Sequence, residues 1–364
     1  MIMTTHSDIT IIGGGIIGLL TARAWAQKGA SVTLLEQGRT GRESSWAGGG
    51  ILSPLYPWRQ AEAINQLAAQ SQTLYPTLCA ELREATGIDP ELRYCGLLIP
   101  DAEDGHEAIS WCQRYRIEVS TAPPELPAAL NVGGEQLLWM PTIGQVRNPR
   151  LLQALHRDLE RYPITRIEQC QISSAQVHRQ RITEVQSRHH HWPVNELIVC
   201  AGAWTQQLLA QLLPTERAPA ITPVKGQMLA YSISPDVLPC MVLAGDHYLI
   251  PRQDGLVLVG STVEQEGFDK TPTRKAKALL EQLAHSLLPT LRTQQPKHHW
   301  AGLRPGSATG IPTIGRHPEL TNLSINAGHF RNGLVMAPAS VNLLLELMTG
   351  TSPTLAAEPY QWQV

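Results

Sequence analysis

The feature that most constrains this chain lies within its first 36 residues. A short apolar run, Ile9 to Ile12, leads directly into Gly13-Gly14-Gly15-Ile16-Ile17-Gly18. A run so uniformly apolar reads as a buried parallel strand. Ile16 to Lys28 reads as a helix that stops at Gly29, and Ser31 to Leu35 as a second strand ending at Glu36. Strand, glycine turn, helix, strand and acid in this order make a βαβ unit with G-x-G-x-x-G at Gly13, Gly15 and Gly18. Gly13 permits the tight turn, and Gly15 lets a pyrophosphate approach the backbone at the helix N-terminus. Gly18 lets the helix pack closely on the strand. Glu36 is placed to accept from a ribose hydroxyl and to repel a 2′-phosphate. The motif alone also occurs in ordinary Gly-rich turns. The complete unit predicts a dinucleotide site.

The stretch after Glu36 bears on which dinucleotide. Gly41-Arg42-Glu43-Ser44-Ser45-Trp46-Ala47-Gly48-Gly49-Gly50 is small, polar and Gly-rich. Such a loop can pass close to a long cofactor and hydrogen-bond it through Ser44 and Ser45. A flexible surface loop is the alternative that composition leaves open, and the position directly after the ribose acid argues against it.

Further along, Ala61 to Thr86 reads as a helix interrupted near Pro76, Leu92 to Ile99 as a strand and Glu103 to Tyr115 as a helix. Ala122 to Gly134 is rich in Pro and Gly and reads as loop. Asn148 is placed to cap a helix that runs to Arg161 with Pro149 in its first turn. Ile164 to Ile172 reads as a strand, Ser174 to Arg188 as a hairpin, and Glu196 to Cys200 as a strand entering the turn Ala201-Gly202-Ala203-Trp204. Val224 to Ile233, His247 to Pro251 and Leu256 to Val263 read as strands of a separate sheet. Asp254-Gly255 is a hairpin signal between the last two, and a helix from Pro272 to Leu288 follows.

With 364 residues the chain is long enough for two domains, and its formal charge of −2 gives no reason to expect a nucleic-acid partner. The six cysteines, Cys79, Cys95, Cys112, Cys170, Cys200 and Cys240, form no C-x-x-C pair and read as reduced, mostly buried thiols. His189-His190-His191 reads as a solvated turn, since neighbouring residues on a strand point to opposite sides. No metal is expected. The N-terminus has no signal-peptide pattern, and Ile9 to Ala22 is too short to span a bilayer. A cytoplasmic protein without an integral membrane segment is expected.

Two C-terminal segments complete the pattern: Trp300-Ala301-Gly302-Leu303-Arg304-Pro305-Gly306 and Ala327-Gly328-His329-Phe330-Arg331-Asn332-Gly333-Leu334. Together with the fingerprint and the stretch Glu43 to Arg59, they resemble the D-amino acid oxidase superfamily of FAD-dependent amine oxidoreductases, and within it the glycine oxidases of thiamine biosynthesis. The resemblance spans essentially the whole chain. It implies an α/β architecture: a Rossmann-like FAD-binding domain (1–88, 146–216 and 300–364) with an inserted antiparallel-sheet substrate domain (89–145 and 217–299). Ala201 to Trp204 resembles the second flavoprotein motif. The resemblance implies FAD contacts from Gly13, Gly15, Ile16, Ile17, Gly18, Glu36, Gln37, Ser44, Ser45, Gly49, Gly50, Ile51, Ile172, His329, Phe330, Arg331, Asn332, Gly333, Leu334 and Val335. A helix from about Asn332 to Met348 is expected to aim its N-terminal amides at the flavin ring.

By the same resemblance Arg304 clamps the substrate carboxylate, Tyr248 hydrogen-bonds it, and Arg331 lies near the substrate. A guanidinium fork matches a carboxylate bidentately. The implied reaction is oxidative deamination of glycine, sarcosine and small D-amino acids. Hydride passes from Cα of the neutral amine to flavin N5, and oxygen is reduced to hydrogen peroxide. The imino acid from glycine hydrolyses to glyoxylate and ammonia. No general base is expected. Related sarcosine oxidases hold their flavin through a C-terminal cysteine; none follows Cys240, so FAD is expected to be noncovalent. Gly260-Ser261-Thr262-Val263 matches a stretch that often ends in Met in relatives, and Val263 is expected to widen the substrate pocket. The expected partners are a small amino acid, molecular oxygen and further copies of the chain in a homo-oligomer. An alternative is a dehydrogenase of the same fold that passes electrons to a quinone or partner protein, as in hydrogen cyanide synthase. A third is a non-enzymatic flavin-binding protein, against which the Arg304 and Tyr248 pair argues.

Overall fold

The computed structural model describes residues 6–121, 126–127, 129–133, 136–213 and 218–362. Strand Ile9–Ile12, helix Ile16–Gln27 and strand Val32–Leu35 form the expected βαβ unit. The two strands are buried and pair in parallel, Ile9 opposite Val32 through Ile12 opposite Leu35. They sit in a six-stranded sheet ordered Thr313–Arg316, Leu323–Ala327, Glu196–Val199, Ile9–Ile12, Val32–Leu35, Ile164–Ile167. Only the Thr313–Arg316 pairing is antiparallel. Short parallel strands stay apolar on both faces because both faces are covered. Helix Ile16–Gln27 packs between Ala337–Thr349 and Asn148–Leu159 on one face. On the other, the meander Ile172–His178, Arg181–Ser187, His191–Pro193 and helix Thr205–Leu212 share a core with Ile12, Leu35 and Val199.

The second sheet has seven strands, ordered His298–Ser307, Ile221–Ser232, Leu256–Gly260, His247–Pro251, Met241–Ala244, Leu97–Ile99, Leu138–Met140. It is antiparallel except where Met241–Ala244 pairs with Leu97–Ile99. Helix Arg274–Leu287 covers its back, capped by Thr273, whose Oγ1 accepts from the Ala276 N–H at 3.2 Å. The hairpin expected at Asp254-Gly255 is present, with Gly255 at φ +82°.

Several expectations need correction. The boundary at 300 falls inside strand His298–Ser307, all of which pairs with Ile221–Ala230, so this strand belongs to the second sheet. Helix Glu62–Thr86 runs unbroken through Pro76, whose ring faces solvent while Tyr75, Leu78 and Leu82 hold the helix down. The strand expected over 92–99 is two strands in different sheets, turned at Gly96, φ +75°. Likewise 164–172 breaks at Gln169, φ +55°. Asn148 does not cap its helix, since Arg147 holds that position, and its Nδ2 donates to the Ser45 carbonyl at 2.8 Å. The long C-terminal helix begins at Ala337, five residues later than expected, because Phe330–Asn332 forms a 3₁₀ turn and residues 333–336 form further turns. Within 41–50, Ser44–Ala47 makes one helical turn. The loop expected over 122–134 lies partly outside the described residues.

Candidate active site

The parallel strands end at one edge of the six-stranded sheet, and each hands the chain to the same cleft. Gly13 to Ile17 follow Ile12, Glu36 follows Leu35, Cys200 to Trp204 follow Val199, and His329 to Val335 come after Ala327. Ligands of open α/β sheets bind outside these carboxyl ends. The cleft holds about 1820 Å³ including its mouth, and its far wall is the seven-stranded sheet, through Gly226, Met228, Tyr248, Ser261, Gly302 and Arg304.

At one end the Glu36 carboxylate accepts from the N–H groups of Gly14 and Gly38, both at 2.7 Å. Burial raises its pKa and these two bonds oppose the shift. The glycine turn is as tight as the motif requires. A Cβ on Gly13 would lie 2.3 Å from the Cys200 carbonyl oxygen, and one on Gly18 would lie 1.9 Å from that of Gly13. Gly18 therefore packs behind the cleft and does not line it. Ser45 reaches the start of the first helix, where its Oγ accepts from the Ile16 N–H at 2.9 Å. Buried Arg252, within the expected substrate-side stretch, instead pins this wall. It donates to the carbonyls of Gly49 at 2.7 Å and Val146 at 3.0 Å, and to the Gln145 amide. Burial pushes its pKa down to about 10.

At the other end Arg304 points along the inner face of the second sheet. Its Nη2 donates to Ser261 Oγ at 2.7 Å, and its Nη1 donates to the carbonyls of Thr262 at 3.1 Å and Lys225 at 3.4 Å. Among the described residues no carboxylate forms an ion pair with it. Burial lowers its pKa. Tyr248, 7% exposed, lies beside it against Met228. Arg331 sits at the rim, bonded to the Asp246 carbonyl at 3.2 Å.

Of the residues expected around the cofactor and substrate, all except Gly18 and Val263 line this one cleft. The sequence reading missed Ser261, which holds Arg304, and Gly226, whose missing side chain leaves room for it. Two cleft cysteines, Cys170 and Cys200, were missed as lining residues too. Val263, expected to shape the pocket, is 48% exposed and lies outside the lining, in the segment beyond the end of strand Leu256–Gly260. His189 to His191 are exposed, and among the described residues no group of three or more His, Cys, Asp or Glu could hold a metal. No helix among the described residues is long and apolar enough to cross a membrane.

A family model described as FAD dependent oxidoreductase matches residues 8–347. The chain belongs to this family of FAD-dependent oxidoreductases. The oxidoreductase is 44% identical over 360 residues to a glycine oxidase of Pseudomonas aeruginosa, with 97% of each chain covered. Its fold matches the crystal structure of glycine oxidase from Geobacillus kaustophilus with a TM-score of 0.92 at 25% identity, covering 99% of both chains. The fold is also that of an L-proline dehydrogenase from P. horikoshii, at a TM-score of 0.87, 22% identity and 99% and 97% coverage.

The cleft fits FAD. A carboxylate at one end suits a ribose, glycines open the helix N-terminus to a pyrophosphate, and two buried polar atoms of lining residues, Asn148 Oδ1 and His329 Nε2, have no hydrogen-bond partner among the described residues.

Proposed function

We propose that the oxidoreductase oxidises glycine and small amines such as sarcosine and small D-amino acids, releasing an imino acid that water hydrolyses, with hydrogen peroxide as the other product. The observation that carries this reading is Arg304. It is a half-buried guanidinium that pairs with no carboxylate among the described residues, at the end of a dinucleotide cleft. A desolvated cation of this kind is stabilised by an incoming anion, and its planar fork selects a carboxylate.

In this reading Glu36, Gln37, Gly13 to Ile17, Ser44, Ser45 and Ile172 would hold the adenosine and pyrophosphate side of FAD, and Gly49 to Ile51, with Gly49 against Tyr248, would lie towards its flavin side. His329 to Val335 hold its flavin side. The chemistry that FAD would supply there is acceptance of a hydride from the substrate Cα. Arg304 and Tyr248 take the two carboxylate oxygens, which fixes the direction of the Cα–H bond. Arg331 at the rim favours entry of an anionic group. Met228 and Ile51 leave an apolar space beside the carboxylate site, suited to a neutral amine and a small substituent. The six-stranded sheet unit is the cofactor half and the seven-stranded sheet unit the substrate half. Noncovalent FAD fits the cleft cysteines: burial pushes the Cys200 thiol up to about 12 and raises Cys170, so neither is a ready nucleophile. A cytoplasmic homo-oligomer acting in thiamine biosynthesis, with a small amino acid and molecular oxygen as its partners, completes the proposal.

The test is anaerobic bleaching of the flavin by glycine, sarcosine and D-alanine, for the native chain and for Arg304→Ala. Bleaching by all or some of these, with KM raised at least about 100-fold in Arg304→Ala, is the expected result. No bleaching by any of the three, or an unchanged KM in the variant, would refute it. Admission of air then separates the two electron acceptors: fast reoxidation with peroxide marks an oxidase, slow reoxidation a dehydrogenase.

A further inference from the structure

Arg304 is held by three acceptors, Ser261 Oγ and the carbonyls of Thr262 and Lys225, and none of them is charged. Their positions are set from the opposite side of the sheet. Along strand Ile221–Ser232, Gly226 and Met228 line the cleft, so Lys225 and Gln227 point to the back. Gln227 is fully buried, and its amide is saturated. Nε2 donates to both oxygens of Glu264, at 2.9 and 3.0 Å, and to Thr273 Oγ1 at 3.2 Å. Oε1 accepts from the Thr273 N–H at 2.8 Å and lies 3.0 Å from His299 Nε2.

The same carboxylate reaches Thr262. The Thr262 hydroxyl donates to Glu264 Oε1 and accepts from the Gln227 N–H at 2.9 Å. Backbone bonds Lys225 N to Glu264 O at 2.9 Å and Glu264 N to Lys225 O at 3.0 Å close the lace. Segment 261–264 is thereby tied to residues 225–227 by side chain and backbone together, and two of the three Arg304 acceptors, the carbonyls of Thr262 and Lys225, belong to residues in those ties.

The charge arrangement has a reason. A carboxylate bonded directly to Arg304 would fill its fork and compete with a ligand. A carboxylate one layer back supports the half-buried cation and leaves the fork free. Burial is the main cause depressing the Arg304 pKa, and Glu264 is among the groups that oppose it.

We propose that Glu264, Gln227 and Thr262 are positioning residues that hold the Arg304 guanidinium, through the Thr262 and Lys225 carbonyls, in the orientation that receives the substrate carboxylate. This rests on the reading of Arg304 as the carboxylate clamp. None of the three touches substrate. They set its affinity and leave the hydride step alone.

The experiment compares holoenzyme carrying Thr262→Val, Thr262→Ser and Glu264→Gln, each alone and in an Arg304→Ala background. KM and kcat for glycine are measured, with binding of acetate, a carboxylate without an amine, followed by the flavin absorbance change. Thr262→Val and Glu264→Gln are expected to raise KM and weaken acetate by the same factor of about tenfold, with kcat within about twofold. Thr262→Ser restores the hydroxyl and returns both values to within about twofold of the native chain. In the Arg304→Ala background Thr262→Val and Glu264→Gln have no further effect. If KM and acetate binding stay unchanged in both, the proposal is wrong. Persistence of their effects without Arg304 would show a general structural role and also overturn it, as would a loss confined to kcat. Should Arg304→Ala itself leave KM and acetate binding unchanged, the clamp reading falls first and this proposal with it. If Thr262→Val does not fold, Glu264→Gln decides.

Discussion

Replacing Gly226 by alanine tests whether the orientation of Arg304 limits substrate binding. Gly226 lies on the inner face of strand Ile221–Ser232, and a Cβ built there would sit 2.2 Å from Arg304 Nη2, 2.3 Å from Nη1 and 2.4 Å from Cζ. Ordinary contact begins near 3.4 Å, so the guanidinium must withdraw by about 1.2 Å. The flexible end of the arginine can move; the strand need not. That displacement stretches or breaks the 2.7 Å bond to Ser261 and the 3.1 Å bond to Thr262. Each hydrogen bond to a charged group is worth about 1.5–3 kcal/mol, and a misplacement of about 1 Å at a reacting geometry costs on the order of 10²-fold. The expected outcome is a KM for glycine raised roughly 30- to 100-fold, with FAD content native and the melting temperature within about 4 °C. Steady-state kinetics, flavin absorbance and thermal unfolding read these three quantities. A KM within about twofold of the native value, in a folded and FAD-loaded variant, would refute the reasoning.

Two further outcomes follow from the cofactor side. Gly18→Ala drives a Cβ to 1.9 Å from the Gly13 carbonyl oxygen, which is backbone and cannot swing aside. The variant should lose at least about 1–3 kcal/mol of stability and purify with little FAD, seen as a raised ratio of protein to flavin absorbance; retention of a full complement would contradict it. His329, 2% exposed, has its pKa pushed down to about 3 by burial. The unfolded chain protonates this ring below about pH 6.5 and the folded chain does not, so stability falls as pH falls from 6.5 towards 3, by about 1.4 kcal/mol per unit. His329→Gln at saturating FAD should flatten that acid limb by about 2 kcal/mol at pH 5; parallel melting curves for the two proteins between pH 7.5 and 5 would rule the residue out as the cause.

The residues legible in the sequence are those whose roles are local. Gly13, Gly15, Gly18 and Glu36 act within one βαβ unit, where a single turn and two strand ends fix their relations. Arg304, Tyr248 and the His329 to Val335 turn were legible only through resemblance, since 56 residues and several elements separate Tyr248 from Arg304. Nothing local marks Gly226 or Ser261. A glycine in a strand and a serine after one carry no signal until a guanidinium is packed between them. Pro76 misled because its local rule was overridden by packing of Tyr75, Leu78 and Leu82, and Asn148 because its amide found the Ser45 carbonyl.

The dinucleotide-binding unit and its acid were thus settled by sequence alone, because backbone sterics in a tight turn act over a few residues. Tertiary structure alone decided how the substrate end is built. The approach of strands 221–232, 256–260 and 298–307 sets Arg304 against Gly226 and Ser261, and it tucks Glu264 one layer behind. Charge and free volume at that end are properties of neighbours distant in sequence, and only the packed sheet makes them neighbours.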